Sequence, residues 1–307
     1  MDETQTTTVD RRTFLTAAGC AVAAAAAPRL SCLAAAEPAA EPAANASWKM
    51  RLSTSTVHFS SLPIEDVCQR IAALGFEGID IWCPSRMFGC PQLDEVEKRL
   101  GPAGLTDLLA THKLKLYSFT CYFGVYPRYA DLFGKVGGGV AVRESGDGEA
   151  TGKDLTARMK AFLEKLKPEL DLAEKHNAYL VAENHTGRLL NSRDSFKAFV
   201  DLNRHPRLGI ALAPYHLQAG NISVEEVIGI CGKQLLYFYA WQHQEGVRQL
   251  PGVGPTDFTP WIAALAKADY AWYVNPFMHG VVAPAEMSKG LATAKEYLTK
   301  CYAKAMA

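Results

Sequence analysis

The sequence predicts an α/β fold in which eight parallel strands, each followed by a helix, close into a single (β/α)8 barrel. Eight short apolar runs of strand length recur along the 307 residues. Amphipathic stretches of helix length separate them, and this alternation is typical of parallel strands joined by crossover helices. A barrel of this kind needs roughly 250 residues, which the chain supplies after its N-terminal region. The predicted strands cover residues 51–57, 77–82, 113–122, 138–144, 178–184, 207–213, 235–241 and 271–277.

The connecting segments carry the helical pattern that the barrel requires. Residues 64–74 place apolar side chains at helical spacing, and Gly75 is a typical residue at which such a helix ends. Residues 156–176 repeat the pattern, and Pro168 predicts a kink or a break inside that segment. An acidic, glycine-rich stretch at 144–152 predicts a mobile flap over the mouth of the barrel. Shorter crossover helices are predicted at residues 194–202, 223–231 and 259–267.

The N-terminal region differs from the rest of the chain in composition. Arg11 and Arg12 precede Thr, Phe and Leu, and an alanine-rich stretch follows. The apolar part has roughly 14 residues, fewer than the roughly 20 that a bilayer-spanning helix needs. The segment resembles a twin-arginine export signal, although Asp10 stands where Ser or Thr is commoner. Its alanine content fits an uncleaved membrane anchor poorly, so we expect no membrane span in the mature chain.

These features divide the chain into three parts. Residues 1–36 form the predicted twin-arginine signal peptide, and residues 37–48 form a linker rich in Pro and Ala. Residues 49–307 form the predicted barrel, of the type called a TIM barrel. Export by this pathway predicts a periplasmic protein. The sequence leaves open whether the barrel forms an oligomer.

Charge and cysteine content restrict the class of partner. Without its first 48 residues the chain keeps 29 basic and 27 acidic groups, a net charge of +2. A nearly neutral body without a basic run argues against a nucleic-acid partner. The six cysteines of the barrel lack the paired spacing of a zinc site. Cys83 and Cys90 flank a loop after the second strand and could form a disulfide once exported, whereas buried thiols account better for the other four.

Polar and aromatic residues gather where the predicted strands end. Because the loops after the strands of such a barrel meet at one rim, these side chains predict a binding site there. Each residue alone also fits a structural role, such as backbone capping by His58 or core packing by Trp82. Their joint position favours a functional site. The predicted catalytic residues are Glu183, His185 and His216, and the predicted substrate-binding residues are His58, Trp82, Tyr215, Trp241, Gln242, Asn275 and His279.

Several segments in this order resemble the xylose-isomerase-like barrels, the sugar (phosphate) isomerase/epimerase family. They are LSTSTVHFSSLPIEDVCQRIAALGFEGIDIW at the start of the barrel, AENHTG after strand five, PYH after strand six, LPGVGPTDF after strand seven and NPFMH at strand eight. The resemblance covers residues 50–300. It implies a divalent metal, typically manganese, held by Glu, Asp, His and Glu at the ends of strands five to eight. Two glutamates would then shuttle a proton on a sugar carbon.

The chain departs from that pattern at three of the four positions. Glu183 keeps the first ligand, whereas Ala213 stands for the Asp, Gln242 for the His and Asn275 for the second Glu. Hard divalent cations prefer carboxylate oxygens, so losing two carboxylates and an imidazole predicts weak metal binding at most. We therefore expect no tightly bound cofactor, with weak manganese binding through Glu183 as the remaining alternative.

Two classes of function follow from these residues. The first is an exported enzyme of the isomerase, epimerase or lyase type that acts on a carbohydrate or polyol. Glu183 would abstract a proton next to a carbonyl, with a histidine as its partner. The alternative is a non-catalytic sugar-binding or scaffold barrel. An abasic-site DNA endonuclease of the same superfamily would need a multi-metal cluster and a basic face, and the sequence predicts neither.

Overall fold

In the computed structural model of the chain, eight parallel strands form a closed barrel in which each strand pairs with its neighbours in sequence and β8 pairs with β1. The structure describes residues 48–84 and 90–307. The predicted export signal and residues 37–47 of the linker lie outside these ranges. All eight predicted strands are confirmed. They are β1 Arg51–Ser55, β2 Gly78–Trp82, β3 Lys115–Thr120, β4 Gly139–Glu144, β5 Ala178–Glu183, β6 Leu208–Leu212, β7 Leu235–Ala240 and β8 Tyr273–Pro276.

Helices surround the barrel, and the five that the sequence predicted are present. The long segment at 156–176 is split in two, with Pro168 in the first turn of the second helix, where its missing N–H costs no hydrogen bond. The final helix was not predicted, because it follows the last strand and connects to no other. The helices are α1 Ile64–Ala73, α2 Gln92–Glu95, α3 Gly101–Thr111, α4 Tyr126–Lys135, α5 Gly152–Lys165, α6 Lys167–Lys175, α7 Arg193–Leu202, α8 Pro214–Ala219, α9 Val224–Cys231, α10 Thr259–Lys267 and α11 Pro284–Ala305.

Two hydrophobic cores stabilise the barrel, because its strands are buried on both faces. One core lies between the strands and the helices. The other fills the barrel and contains an unusual number of aromatic rings. Tyr117 stacks on Tyr237 with ring centroids 4.8 Å apart, and Tyr237 contacts Tyr239 at 4.4 Å. These rings fill the interior below the carboxyl ends of the strands, so a ligand can enter only at the mouth.

The disulfide that Cys83 and Cys90 could form is not present in this structure. Both residues are buried free thiols. Cys83 belongs to the core outside the strands, whereas Cys90 belongs to the core inside the barrel. The Cys90 thiol is hydrogen-bonded to the Gln92 side chain at 2.5 Å. The two sulfur atoms therefore lie in different packing environments.

The loop after β4, which was predicted as a mobile flap, makes several contacts with the rest of the barrel. Arg158 on α5 donates hydrogen bonds to the carbonyl oxygens of Gly148 at 3.0 Å and Glu149 at 2.6 Å. Arg188 forms an ion pair with Asp147 on the same loop. These contacts hold the loop beside the mouth. A cavity of about 260 Å³ lies between this loop and α5, and Arg158 is part of its lining.

The N-terminal boundary of the barrel lies at or before Trp48. Trp48, assigned to the linker from the sequence, is buried, and its carbonyl accepts a hydrogen bond from Tyr302 at 2.6 Å. The barrel therefore includes at least this residue. Within residues 48–84 and 90–307, no helix has both the length and the apolar character to cross a membrane.

Candidate active site

A cavity of about 220 Å³ opens at the carboxyl ends of β3, β4, β5 and β8. It is smaller than the pockets of about 300–1,000 Å³ that hold drug-sized ligands, so it suits a small molecule such as a monosaccharide. Three of the predicted site residues, Glu183, His185 and His279, meet there. The full lining is Tyr122, Phe123, Glu144, Glu183, His185, Arg188 and His279.

Glu183 is the last residue of β5, and only 6% of it is exposed. Burial raises the pKa of its carboxyl to about 8, and the nearby carboxyl groups of Asp80 and Glu144 act in the same direction. The hydroxyl of Tyr122 donates a hydrogen bond to Oε2 of Glu183, which partly offsets that rise. A carboxyl group that titrates near neutral pH can both donate and accept a proton there.

Glu144 is a second carboxyl group in the cavity. The parallel pairing of β4 and β5 puts Glu144 opposite Glu183 in the register. Its Oε2 accepts a hydrogen bond from the backbone N–H of Phe123 at 2.9 Å, and its Oε1 lies 3.6 Å from the guanidinium of Arg143. Because neighbouring strands are about 4.8 Å apart, the two carboxyl groups belong to one wall of the cavity.

Phe123 forms the rim of the cavity in an unusual backbone conformation. Its φ is 62°, a value that bulky residues rarely adopt. The residue is 63% exposed, and its ring lies edge-on to Tyr122 with centroids 6.3 Å apart. Backbone strain of this kind occurs where a structure fixes a residue for binding. The exposed ring therefore marks Phe123 as a candidate contact for a ligand.

Burial keeps His216 and His279 uncharged at neutral pH. The ring of His216, on α8, lies 3.9 Å from that of His185, centroid to centroid. Burial lowers the pKa of His216 to about 3 and that of His279 to about 4, with repulsion from His185 as a second cause for both. Within the described residues, the buried Nε2 of His216 has no hydrogen-bond partner. His216 itself does not line the cavity.

The aromatic residues predicted to bind substrate are mostly packed into the protein. Trp82 and Trp241 are fully buried. The indole N–H of Trp82 donates to Asp80 at 2.6 Å, and that of Trp241 donates to Gln249 at 2.7 Å. Tyr215 stacks on Trp241 with centroids 4.3 Å apart and keeps part of its surface exposed. None of these three rings lines the cavity.

His58 and Gln242 are occupied by contacts within the protein. Nε2 of His58 accepts a hydrogen bond from the backbone N–H of Met278 at 3.3 Å, so its Nδ1 carries the proton that faces Thr54, 3.0 Å away. Burial lowers the pKa of His58 to about 3. Both ends of the Gln242 amide bond to the backbone of loop 250–256. Both residues stabilise loops, and neither lines the cavity.

Asn275 belongs to a hydrogen-bond network inside the barrel. Its Oδ1 accepts from Ser53 at 2.9 Å, and its Nδ2 donates to Ser55 at 3.0 Å. Ser55 donates in turn to the buried carboxyl of Asp80 at 2.7 Å. Burial raises the pKa of Asp80, while its hydrogen bonds act in the opposite direction. The other donors to Asp80 are Trp82, Ser118 and Thr120.

The inward-facing residues at the ends of β5 to β8 decide whether the implied metal fits. The register puts Tyr239 opposite Asn275, and Gln242, which stands for the expected His in the sequence, lies in the loop after β7. Ala213 offers no donor atom, and the phenol of Tyr239 has a pKa raised well above its usual value by burial. The amide of Asn275 is already bonded. In the part of the chain that the structure describes, no group of three His, Cys, Asp or Glu is placed to hold a metal. This donor set does not fit a tightly bound divalent ion.

Four residues of the cavity were not in the predicted site. Glu144 was included in a predicted strand and flap, although its position at a strand end was a usable signal. Phe123 directly follows the third predicted strand, and Arg188 lies in the loop after β5. Tyr122 is the last residue of the third predicted strand, and the structure makes it the hydrogen-bond partner of Glu183.

Comparisons with known proteins place this geometry among related folds. A family model described as a xylose isomerase-like TIM barrel matches residues 68–301. The probable 3-DHS dehydratase AsbF of Bacillus anthracis is 15% identical, with a TM-score of 0.66 over 81% of this chain and 99% of that chain. D-psicose 3-epimerase, in a structure determined with D-fructose, is 15% identical, with a TM-score of 0.65 over 82% and 99%.

A third solved structure is similar to the same extent. It is the 3-keto-D-glucoside 4-epimerase YcjR of E. coli, which is 16% identical, with a TM-score of 0.63 over 81% of this chain and 100% of that chain. At these identities the likeness concerns the fold. No curated protein sequence matches the chain.

Proposed function

Because the chain belongs to the xylose isomerase-like TIM barrel family, we propose that it is an enzyme that moves a proton next to the carbonyl of a small carbohydrate or polyol. The observation that carries this proposal is Glu183, a buried carboxyl in a cavity of about 220 Å³. Its hydrogen-bond partner there is the phenol of Tyr122 and not a cationic side chain. The activities named for the structurally similar epimerases and the dehydratase support the same class of chemistry.

The surroundings of Glu183 support a role in proton transfer. A pKa of about 8 leaves the carboxyl mostly protonated at neutral pH, with a usable ionised fraction. Tyr122 donates to this carboxyl and lies 3.5 Å from the hydroxyl of Tyr239, so a short chain of hydroxyl groups leads into the barrel. Glu183 can therefore exchange a proton with a ligand while its geometry stays fixed.

The negative charge that develops on the carbonyl oxygen needs a stabilising group. We propose that the site provides it without a tightly bound metal, since the donor set does not fit one. Arg188 and His279 line the cavity beside Glu183. A guanidinium stabilises an oxyanion by its charge, and a neutral imidazole can do so by donating its N–H. His185 is the other histidine that lines the cavity.

Substitution of Glu183 tests the proposed function. Wild-type protein and Glu183→Gln are incubated in D2O with D-fructose, D-psicose, D-glucose and a methyl 3-keto-D-glucoside, and deuterium entering each sugar is followed by mass spectrometry. We expect exchange into at least one sugar by the wild type and a loss of at least about 100-fold in Glu183→Gln. The exposed Glu149 provides the matched control Glu149→Gln, which should keep full activity.

The alternative of a non-catalytic binding protein makes a different prediction in the same assay. Wild-type protein would then bind a sugar, detected as a thermal shift, while no deuterium enters any of the four compounds. If Glu183→Gln kept full activity, a group other than Glu183 would have to move the proton. Either result would overturn the proposed role of Glu183.

We also propose that the protein is exported. The support is the Arg11-Arg12 pair followed by the alanine-rich apolar stretch. Replacing both arginines with lysine should leave the protein in the cytoplasm when cell fractions are compared by immunoblotting. Normal recovery of the double variant from the cell envelope would contradict a twin-arginine signal.

A further inference from the structure

The two carboxyl groups of the cavity lie on the same side of the barrel. Glu144 and Glu183 are the last residues of neighbouring parallel strands, and they are partners in the register. Both line the cavity, and Glu144, which also lines the neighbouring cavity beside α5, has a side chain that is 26% exposed overall. Since the strands are about 4.8 Å apart, both groups approach a bound ligand from one direction.

Among the described residues, the wall of the mouth formed by β6, β7 and β8 offers no carboxyl group. At the ends of β6, β7 and β8 the inward-facing residues are Ala213, Tyr239 and Asn275. A methyl group cannot accept a proton, and both ends of the Asn275 amide are hydrogen-bonded to serines. Tyr239 is buried and contacts the hydroxyl of Tyr122 at 3.5 Å. A ligand therefore meets carboxyl groups on one face only.

We propose that Glu144 is a second catalytic residue of this site, and that Glu144 and Glu183 act on the same face of the substrate. This inference rests on the proposed function and specifies its stereochemistry. Inversion at one carbon needs a proton to leave from one face and return to the other. Two carboxyl groups on one wall instead suit aldose–ketose isomerisation or a syn elimination of water.

The elimination can be written with these two groups alone. The carboxylate of Glu144 takes the proton from the carbon next to the carbonyl, and the electron pair of that C–H bond forms a C=C bond. The adjacent C–O bond breaks, and the carboxylic acid of Glu183 gives its proton to the leaving oxygen, which departs as water. In isomerisation, one carboxyl group takes the proton from the carbon next to the carbonyl while the other gives a proton to the carbonyl oxygen. The second group then takes the proton of the neighbouring hydroxyl, and the first returns its proton to the former carbonyl carbon. Neither reaction needs an oxidant or a reductant.

The contacts of Glu144 hold it in place for this role. The backbone N–H of Phe123 donates to Oε2, and Arg143 lies near Oε1. Phe123 can present that N–H while its φ is 62°. Arg143 is itself fixed by an ion pair with Glu169 at 2.5 Å. These contacts orient the carboxylate, and part of its side chain stays exposed.

The test compares Glu144→Gln with Glu144→Asp in the deuterium-exchange assay on the same four sugars. Glutamine keeps the size and can still accept the hydrogen bond of the Phe123 amide, so a normal melting temperature would establish that the variant folds. We expect Glu144→Gln to lose at least about 100-fold of the exchange rate and Glu144→Asp to recover part of it. Glu149→Gln, on the exposed loop that follows Glu144, is the matched control and should stay active.

The products separate this inference from the proposed function. We expect an isomer or a dehydrated sugar, with deuterium entering on the face from which the proton left. If Glu183→Gln is inactive while Glu144→Gln is fully active, or if the main product is an epimer with deuterium at the inverted carbon, the inference fails and the proposed function stands. If no sugar exchanges deuterium with the wild type, the proposed function fails and the inference fails with it.

Discussion

The two halves of the barrel mouth use their polar groups in different ways. On the side of β3, β4 and β5, the side chains of Tyr122, Glu144 and Glu183 face a cavity. On the side of β7, β8 and β1, Gln242 and Asn275 are fully buried and bonded to neighbouring groups of the protein. We refer to these as the open half and the closed half of the mouth.

The difference shows which half presents carboxyl groups to a ligand. Buried polar groups that are hydrogen-bonded within the protein stabilise its structure, but their donors and acceptors are not available to a ligand. Gln242 and Asn275, which stand at two of the positions that the resemblance implies for metal ligands, lie in the closed half. The carboxyl groups that remain available lie in the open half, next to each other. The substitutions below test this division.

The largest effect is expected for Asn275→Asp in the closed half. The change removes the N–H donor to Ser55 and places a second carboxyl group next to the network of the buried Asp80. An unpaired buried charge is strongly destabilising, so we expect the free energy of unfolding to fall by about 3 kcal/mol. Urea denaturation followed by tryptophan fluorescence measures it.

The exposed Asn221 provides the control for that substitution. Its φ is 54°, a conformation that Asp also tolerates, so Asn221→Asp should change the free energy of unfolding by no more than about 0.5 kcal/mol. A loss below about 1 kcal/mol in Asn275→Asp would mean that the closed half accommodates charge, contrary to the comparison.

A smaller effect is expected from pH. Folding lowers the pKa values of His58 and His216 to about 3 and that of His279 to about 4, so their stabilising contribution is complete above pH 6.5 and is lost as the pH falls. Each contributes a slope of up to about 1.4 kcal/mol per pH unit. Glu183 has the opposite sign, because its pKa rises from 4.5 to about 8 and its contribution is lost as the pH increases through that range.

Stability should therefore be greatest near pH 6.5, where the histidine contribution is complete and that of Glu183 is only partly lost. Chemical denaturation at a series of pH values measures the profile. Glu183→Gln should remove the decrease in stability above pH 6.5. His58→Gln should reduce the slope of stability against pH below 6.5 by about 1.4 kcal/mol per pH unit, the contribution of one proton. A stability that stays constant between pH 4.5 and 8 would contradict the burial of these groups.

The smallest effect is expected for Phe123 in the open half. Glycine adopts a φ of 62° without strain, so Phe123→Gly should raise the free energy of unfolding by about 1 kcal/mol. Loss of the exposed ring should weaken sugar binding about five- to tenfold, measured by titration calorimetry. Phe123→Ala is the matched control, since it removes the ring but keeps the strain. If Phe123→Gly is less stable than Phe123→Ala, the backbone at the rim is not strained.

The fold could be predicted from the sequence because each strand buries both faces. Runs such as residues 178–184 and 235–241 are continuously apolar, and the segments between them have helical spacing. Glu183 was found for the same reason, since it directly follows such a run. The inner network was missed because Asp80 lies inside an apolar run, and only the barrel register reveals that it faces inward.

Register also explains where Gln242 lies. The pairing of β6 with β7 shifts between Ile210 and Ala211, and nothing in the sequence marks this irregularity. The structure consequently puts Tyr239 at the level of Asn275, and Gln242 falls in the following loop. Glu144 was missed because its importance depends on a partner on the neighbouring strand. Contacts between strands distant in sequence cannot be read from local patterns.

The most direct test of the central claim is the metal content of the protein isolated from its native compartment, measured by mass spectrometry together with its melting temperature before and after treatment with a chelator. The donor set predicts well under one equivalent of divalent metal and no change in melting temperature, because an ion that does not bind the native state cannot stabilise it. Stoichiometric manganese or zinc that is lost in Glu183→Gln, with a lower melting temperature after chelation, would contradict the account.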